Sequence, residues 1–173
     1  MCQYLNQIKS ALTEFYRKDR VLLDSKRKAH EQTVSFRLAH YLAEQLEGEY
    51  SGLFVDCEYH GDKNNPNFRK EIEVNGQSER IRPDIIYHNR DKINKFCIEV
   101  KLGSPRKDIL KVKTFIQAYG YLEGYCLCNI SQTRCTLICF TTHNKQAVHK
   151  YIWDGERLLE KTKANDRSAN KRN

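Results

Sequence analysis

Residues 96–101, FCIEVK, form the stretch that decides the fold. The apolar side chains at positions 96, 98 and 100 recur with the period of a β-strand and would share one face of it. Glu99 and Lys101 would then share the opposite face, with Val100 turned into the core between them. The stretch therefore predicts a core strand that carries one acid and one lysine side by side.

Further strand patterns lie on both sides of this stretch. Residues 53–59 alternate between apolar and polar side chains, and residues 70–74 and 77–81 flank Asn75-Gly76, the strongest hairpin signal in the chain. We expect the second arm of that hairpin to continue through Asp84 as far as residue 87. Towards the C-terminus, residues 125–130, 133–141 and 151–158 also have strand character, the last as a small hairpin closed by Asp-Gly.

Three segments have the apolar spacing of amphipathic helices, namely residues 3–16, 29–46 and 104–122. The last begins with Ser104-Pro105, a hydroxyl suited to the N-cap followed by proline at the first helical position. The chain order is then an extra N-terminal helix, a helix, three strands, a helix and a strand. This order predicts an α/β fold with a mixed sheet flanked by helices.

Composition favours one folded cytoplasmic domain. The chain has 173 residues and a mass of 20.4 kDa, and its seven cysteines are an odd number below the range of a disulfide scaffold. Apolar runs such as residues 137–140 are far shorter than the roughly 20 residues of a membrane span. We expect one domain over residues 1–160, with its core at about 29–142, and a basic, disordered tail over residues 161–173.

The positive charge is concentrated in two segments. Of the net charge of +8, residues 17–28 and residues 161–173 contribute +4 each, so the rest of the chain is neutral in sum. Local basic patches suit a polyanion, and nucleic acid is the first candidate. A basic terminus that only keeps the protein in solution is the alternative for the tail.

Asp84, Glu99 and Lys101 form the pattern that predicts chemistry. If the strand that carries Asp84 pairs with the strand of Glu99, the two carboxylates and the lysine meet at one place. Two carboxylates a few ångströms apart raise each other's pKa, and a hard divalent cation such as Mg²⁺ removes that cost. The alternative is an ordinary turn acid beside a solvent-facing ion pair.

Pro83-Asp84 followed by Glu99-Val100-Lys101 resembles the motif of the PD-(D/E)XK nuclease superfamily, whose restriction-endonuclease-like fold has an α-β-β-β-α-β core. The resemblance covers residues 29–142. It implies that Asp84 and Glu99 bind Mg²⁺, with help from Glu31 and the Val100 carbonyl, and that Lys101 is catalytic. Mn²⁺ is expected to substitute for Mg²⁺. Without the resemblance, Glu31 could equally be a first-turn acid that the helix dipole favours.

Substrate contacts are expected on the helix after this strand. Gln117 and Tyr121 would lie at i and i+4 on one helix face, which resembles the QxxxY motif of the exonuclease-like branch. Arg106 and Lys107 occupy the expected first turn, where cations oppose the helix dipole, so a bound phosphate would explain them better than local stability does. The alternative is that Arg106 and Lys107 are solvated surface charges and that Gln117 and Tyr121 are surface or boundary residues of the helix.

The sequence therefore predicts a Mg²⁺-dependent nuclease that acts on nucleic acid, with DNA as the expected substrate. One alternative is a catalytically silent nucleic-acid-binding module of the same fold. Another is an unrelated α/β protein whose basic tail docks to an acidic partner. A homodimer would supply the two sites that cutting both strands of a duplex requires, and the N-terminal helix is its candidate interface. The cysteines lack the CxxC spacing of a zinc site, and a membrane partner is not expected.

Overall fold

A computed structural model describes residues 2–27, 29–47, 52–59, 61, 71–74, 77–143 and 145–161. The chain forms an α/β fold in which a seven-stranded mixed sheet is flanked by three α-helices. The helices are α1 (Leu5–Asp19), α2 (Glu31–Leu46) and α3 (Arg106–Tyr119), and a short 3₁₀ helix spans Arg20–Leu23. The strands are β1 (Phe54–Cys57), β2 (Glu71–Val74), β3 (Gln77–Arg80), β4 (Ile85–His88), β5 (Asn94–Val100), β6 (Glu123–Ser131), β7 (Arg134–Thr141), β8 (Gln146–Trp153) and β9 (Leu158–Glu160).

The strand order in the main sheet is β1-β4-β5-β6-β7-β8-β9. Neighbouring strands pair antiparallel except β5 and β6, which are parallel. A parallel pair needs a crossover connection, and α3 provides it. The segment of Glu99 and Lys101 thus belongs to a central strand, as its alternation predicts.

Two hydrophobic cores form because the sheet is apolar on both faces. On one face, α1 and α2 pack over the even-numbered positions of β5, including Ile98 and Val100. On the other face, α3 packs over Cys97 and the neighbouring strands through Val112 and Phe115. A central strand buried on both faces explains why the polar Glu99 lies inside the protein.

The first helix is longer than predicted and belongs to the first core. It continues to Asp19, beyond the predicted end at residue 16, so the basic segment 17–28 begins within this helix. Its apolar stripe, which includes Leu12 and Phe15, is buried within this chain. That stripe is therefore not available as the interface of a homodimer.

Two predicted element boundaries were wrong. The second hairpin arm stops at Arg80, and β2 and β3 form a separate two-stranded sheet, so the predicted arm does not continue to residue 87. Pro83 accounts for the break because it lacks the backbone N–H that a ladder requires. Helix α3 begins at Arg106 with Pro105 at the N-cap, so Ser104 does not take the predicted capping position. The hairpin turn at residues 75 and 76 and the tail at 162–173 lie outside the described residues.

The remaining strand predictions are confirmed in type. Strands β6 and β7 form the predicted pair, and β8 and β9 meet at Trp153 and Leu158 around the Asp-Gly turn. None of the described helices combines the length and the apolar character needed to cross a membrane.

Candidate active site

Asp84 and Glu99 meet where β4 begins. The register pairs Ile85 with Ile98, so the residue before β4 lies beside the residue after Ile98. The backbone N–H of Val100 donates a hydrogen bond of 2.6 Å to Oδ2 of Asp84. The structure thus brings together the two carboxylates that the sequence predicted to converge.

Burial makes this carboxylate pair costly. Glu99 is only 4% exposed, and its Oε1 finds no hydrogen-bond donor among the residues that the structure describes. Burial and the charge of Asp84 raise the pKa of Glu99 well above its usual value, and Lys111 opposes them only in part. Burial also raises the pKa of Asp84 to about 6, although the bond from Val100 and the charge of Lys111 lower it. Asp84 therefore disfavours ionisation of Glu99, whereas burial and the charges of Glu31 and Glu58 disfavour ionisation of Asp84.

Lys101 and Glu31 form the second half of the site. Glu31 is the first residue of α2, and its Oε2 lies 2.7 Å from Nζ of Lys101. Its Oε1 accepts a hydrogen bond of 3.0 Å from the backbone N–H of Leu102. The bond to Glu31 raises the pKa of Lys101, so the ammonium is held in its charged form. Both carboxylate oxygens of Glu31 therefore have hydrogen-bond partners, and Lys101 is its ion-pair partner.

The sequence analysis missed the contact between Lys111 and the acids. Lys111, in the second turn of α3, has its Nζ 3.8 Å from Oε2 of Glu99 and 3.6 Å from Oδ1 of Asp108. The spacing of Asp108 and Lys111, three residues apart on a helix, does predict their ion pair. No local pattern predicts that the same lysine reaches Glu99, because that contact depends on how α3 packs on the sheet.

Glu58 is an acid near the site that was not predicted to take part in it. It directly follows β1 and adopts the left-handed conformation, with φ of 48°. It accepts a hydrogen bond of 2.6 Å from Gln32 and lies 3.0 Å from Arg82. Its charge adds to the effects that raise the pKa of Asp84, for which burial is the main cause. Glu58 therefore extends the group of acids at this end of the sheet beyond the residues of the predicted motif.

The donor set fits a divalent cation held by few protein ligands. Within the described ranges, no three His, Cys, Asp or Glu side chains converge as a metal-holding group. However, Asp84 supplies a half-buried carboxylate and Glu99 a buried one, and Glu99 has an oxygen without a hydrogen-bond partner among the described residues. In a strand the N–H and C=O of one residue face the same neighbour, so the Val100 carbonyl also faces the side of Asp84. Mg²⁺ binds through one or two carboxylates and keeps several waters, which matches this set.

A basic concavity adjoins the acids. It has a volume of about 590 Å³. Its lining includes the cations Lys101, Arg106, Lys107 and Lys111 and the acid Asp108. Arg106 and Lys107 are exposed in the first turn of α3, as predicted. Cations and free N–H groups at a helix start suit a phosphate group.

The predicted pair of Gln117 and Tyr121 does not form a helical motif. Helix α3 ends at Tyr119, and Gly120 turns the chain with φ of 65°, so Tyr121 lies outside the helix. Gln117 is exposed, whereas Tyr121 is fully buried and packs edge-on against Phe115. The premise that the two side chains share a helix face was wrong, and Tyr121 has no surface to offer a substrate.

We assign no role in the site to the cysteines or to His30 and His88. All seven cysteines are free thiols, and five of them are buried. His88 lies 2.8 Å from Asp56 at the far end of β4. His30 occupies the N-cap of α2 beside Glu31 but makes no side-chain capping bond.

Comparisons of the chain with protein-family models, with curated proteins and with solved structures find no match. Arguments about its function therefore rest on the residues and their geometry.

Proposed function

We propose that this chain is a metal-dependent nuclease that hydrolyses phosphodiester bonds in DNA. The observation that carries the proposal is the pair of the half-buried Asp84 and the buried Glu99, which has an oxygen without a hydrogen-bond partner among the described residues and lies beside the Glu31–Lys101 ion pair. Isolated buried acids of this kind destabilise a fold. Their presence beside exposed cations supports a role in chemistry rather than in packing.

The element order supports the same proposal. Helix α2 is followed by β1, β4 and β5, then by α3 and β6, and β5 and β6 are parallel. An α-β-β-β-α-β core of this order is what the resemblance to the PD-(D/E)XK superfamily implies. We therefore assign the restriction-endonuclease-like arrangement to this core as part of the proposal, with β2 and β3 as an inserted hairpin.

Each site residue would have a distinct role. Asp84, Glu99 and the Val100 carbonyl would hold Mg²⁺ or Mn²⁺, which when bound offsets the two charges and lowers the pKa of a coordinated water. Lys101, oriented by Glu31, would position the attacking water or stabilise negative charge on the phosphoryl oxygens. Arg106 and Lys107 would bind the neighbouring phosphate in the basic concavity.

Cleavage assays test this proposal. Labelled single-stranded, duplex and branched DNA, with RNA alongside, would be incubated with Mg²⁺, Mn²⁺ or EDTA. We expect cleavage that requires a divalent cation and falls by at least ~100-fold in Lys101→Ala, the range of a positioned catalytic group. Lys92→Ala, at an exposed position between β4 and β5, is the matched control and should cleave like the wild type.

The assay also separates the alternatives. Equal binding of nucleic acid by the wild type and Lys101→Ala, without cleavage by either, would favour a catalytically silent binding module. Absence of both binding and cleavage would overturn the proposal.

A further inference from the structure

The face of the sheet that carries Glu99 continues beyond the cover of α3. Residues directly opposite one another on neighbouring strands point to the same face. The register runs from Glu99 through Cys126 and Ile138 to Val148, so Val148 lies on the face of the acids. Helix α3 packs against β5 and β6 and reaches β7, whereas Val148 is 49% exposed. The outer strands β7, β8 and β9 therefore present an open surface in line with the site.

This open surface carries cations at the end nearest the lysine of the site. Lys150 lies two residues beyond Val148, in the direction in which β5 runs from Glu99 to Lys101. Arg134 of β7 pairs with Ile152, which lies two residues beyond Lys150 on β8. The backbone N–H of Lys161 donates a hydrogen bond to the carbonyl of Lys150, so Lys161 lies beside it. We call Arg134, Lys150 and Lys161 the outer cations.

The outer cations surround an open groove of about 910 Å³. Among the described residues that line it, none is acidic, and all three outer cations are exposed. The apolar side chains of Val148 and Ile152 also line the groove. A surface that combines cations with aliphatic contacts is complementary to a phosphodiester backbone with its sugars.

Strand spacing gives the distance from the site. Lys150 lies on β8, three strands from β5, which corresponds to about 14 Å across the sheet. A nucleic acid rises 3.4 Å per nucleotide along one strand of a duplex, so this span is about four base steps. A strand bound at the basic concavity could therefore extend directly onto the outer cations.

We infer that the open face of β7, β8 and β9 is a second nucleic-acid-binding surface, on which the substrate continues past the reacting phosphate. The inference rests on the proposed nuclease function for the identity of its ligand. It assigns the outer cations to phosphate contacts, which position the strand without reading its bases.

Binding measured without catalysis tests this inference. The triple variant Arg134→Gln, Lys150→Gln and Lys161→Gln would be titrated with labelled single-stranded and duplex DNA in EDTA, across a series of salt concentrations. Each lost phosphate contact lowers the slope of log K against log salt by about 0.7–0.9, so we expect the slope to fall by about 2–3. At 0.1 M salt the affinity should fall by roughly 100-fold.

A charge-matched triple variant controls for net charge. The variant Lys92→Gln, Lys95→Gln and Lys145→Gln removes the same number of charges from the start of β5 and β8, the end of these strands away from the outer cations. We expect it to keep the wild-type slope. An equal loss in both variants, or no loss in either, would overturn the inference. Tight binding of the wild type to anionic vesicles but not to DNA would also overturn it, in favour of a lipid surface.

A small substrate separates this inference from the proposed function. Bis(4-nitrophenyl) phosphate is too short to reach the outer cations, so the triple variant should hydrolyse it at the wild-type rate while losing activity on DNA. If the wild type hydrolyses neither substrate but the triple variant still binds DNA more weakly than the wild type does, the second surface is supported and the nuclease proposal fails. If both enzymes cleave DNA equally well, the nuclease proposal stands and the second surface fails.

Discussion

At the scale of single residues, the carboxylate of Glu99 lies in surroundings that oppose its charge. It is buried and faces Asp84, and the ammonium of Lys111, 3.8 Å away, offsets these effects only in part. Replacing Glu99 with the isosteric Gln removes this cost and adds an amide that can donate to Asp84. In EDTA we expect Glu99→Gln to raise the free energy of unfolding by about 1–3 kcal/mol, measured by chemical denaturation.

Divalent cations should reverse the order of stability, so that the wild type becomes more stable than Glu99→Gln. A bound ion stabilises the folded state by RT ln(1 + [L]/Kd), about 2.7 kcal/mol at 100 times Kd. Mg²⁺ should therefore raise the melting temperature of the wild type and leave that of Glu99→Gln unchanged. Glu156→Gln, at an exposed turn position, should match the wild type throughout. A destabilised Glu99→Gln with no effect of Mg²⁺ on either protein would contradict a metal role for this residue.

The sequence predicted the members of the site unevenly. The period of a strand predicted that Glu99 and Lys101 project together, and pairing of neighbouring strands predicted that Asp84 joins Glu99. The resemblance predicted Glu31 as a metal ligand, whereas in the structure its two carboxylate oxygens bind Lys101 and the backbone N–H of Leu102. Lys111 could not be predicted to reach Glu99, because that contact depends on the position of a helix over a sheet and not on any spacing along the chain.

At the scale of elements, a glycine sets how closely α3 approaches β6. A Cβ at Gly124 would lie 2.4 Å from Cγ1 of Val112 and 3.0 Å from Cδ1 of Ile116, closer than packed carbons allow. Val112 is β-branched and fully buried, so it has little freedom to move aside. We expect Gly124→Ala to lower the free energy of unfolding by about 1–3 kcal/mol, measured by denaturant unfolding.

A double mutant separates this clash from other effects of the substitution. Val112→Ala alone leaves a cavity, but it also removes the methyl group that Gly124→Ala would meet. The double variant Gly124→Ala with Val112→Ala should therefore be more stable than the sum of the two single changes, with a coupling of at least ~0.5 kcal/mol. Additive losses would show that close helix-to-strand packing is not the reason for glycine at this position.

Element types were predictable because their apolar periods are long and regular, whereas element ends depended on single residues. Helix α2 was predicted within two residues of each end from its repeated leucines. The helical reading of Gln117 and Tyr121 failed because Gly120 ends α3 between them in the left-handed conformation. Glycine has little cost in that conformation, so Gly120 was the available signal for a helix end.

At the scale of the whole molecule, the order of the strands follows from local rules, but the extent of the sheet does not. The antiparallel pairs join strands that are neighbours in sequence, apart from β1 and β4, between which the β2–β3 hairpin is inserted. The continuation of the sheet through β8 and β9 depends on β8 beginning at Gln146, in a stretch whose side chains are mostly exposed. Burial patterning therefore gave no signal for that part of β8, which is the part that exposes the second surface.

Two acids outside the site join separate elements through ion pairs and hydrogen bonds. Asp19 joins α1 to α2 through Arg37 and Tyr41, and Asp56 joins β1 to the end of β4 through His88 and Arg90. The bond from Arg90 is the main cause that lowers the pKa of Asp56, and His88 adds to it against the effect of burial. A carboxyl group whose pKa is lower in the folded state stabilises the fold above its unfolded pKa of about 3.9. That stabilisation is lost as the pH falls from about 4 through the folded-state pKa of Asp56.

We therefore expect Asp56→Asn to make the stability of the protein less sensitive to acid. Between about pH 5 and pH 2 the wild type should lose more stability than the variant, because only the wild type must protonate this carboxylate on unfolding of the β1–β4 contact. Thermal melts across this range measure the difference, with Asp91→Asn at an exposed turn position as the control. Parallel pH profiles for the wild type and Asp56→Asn would show that Arg90, which is about half exposed, is screened too well by solvent to hold β1 on the sheet.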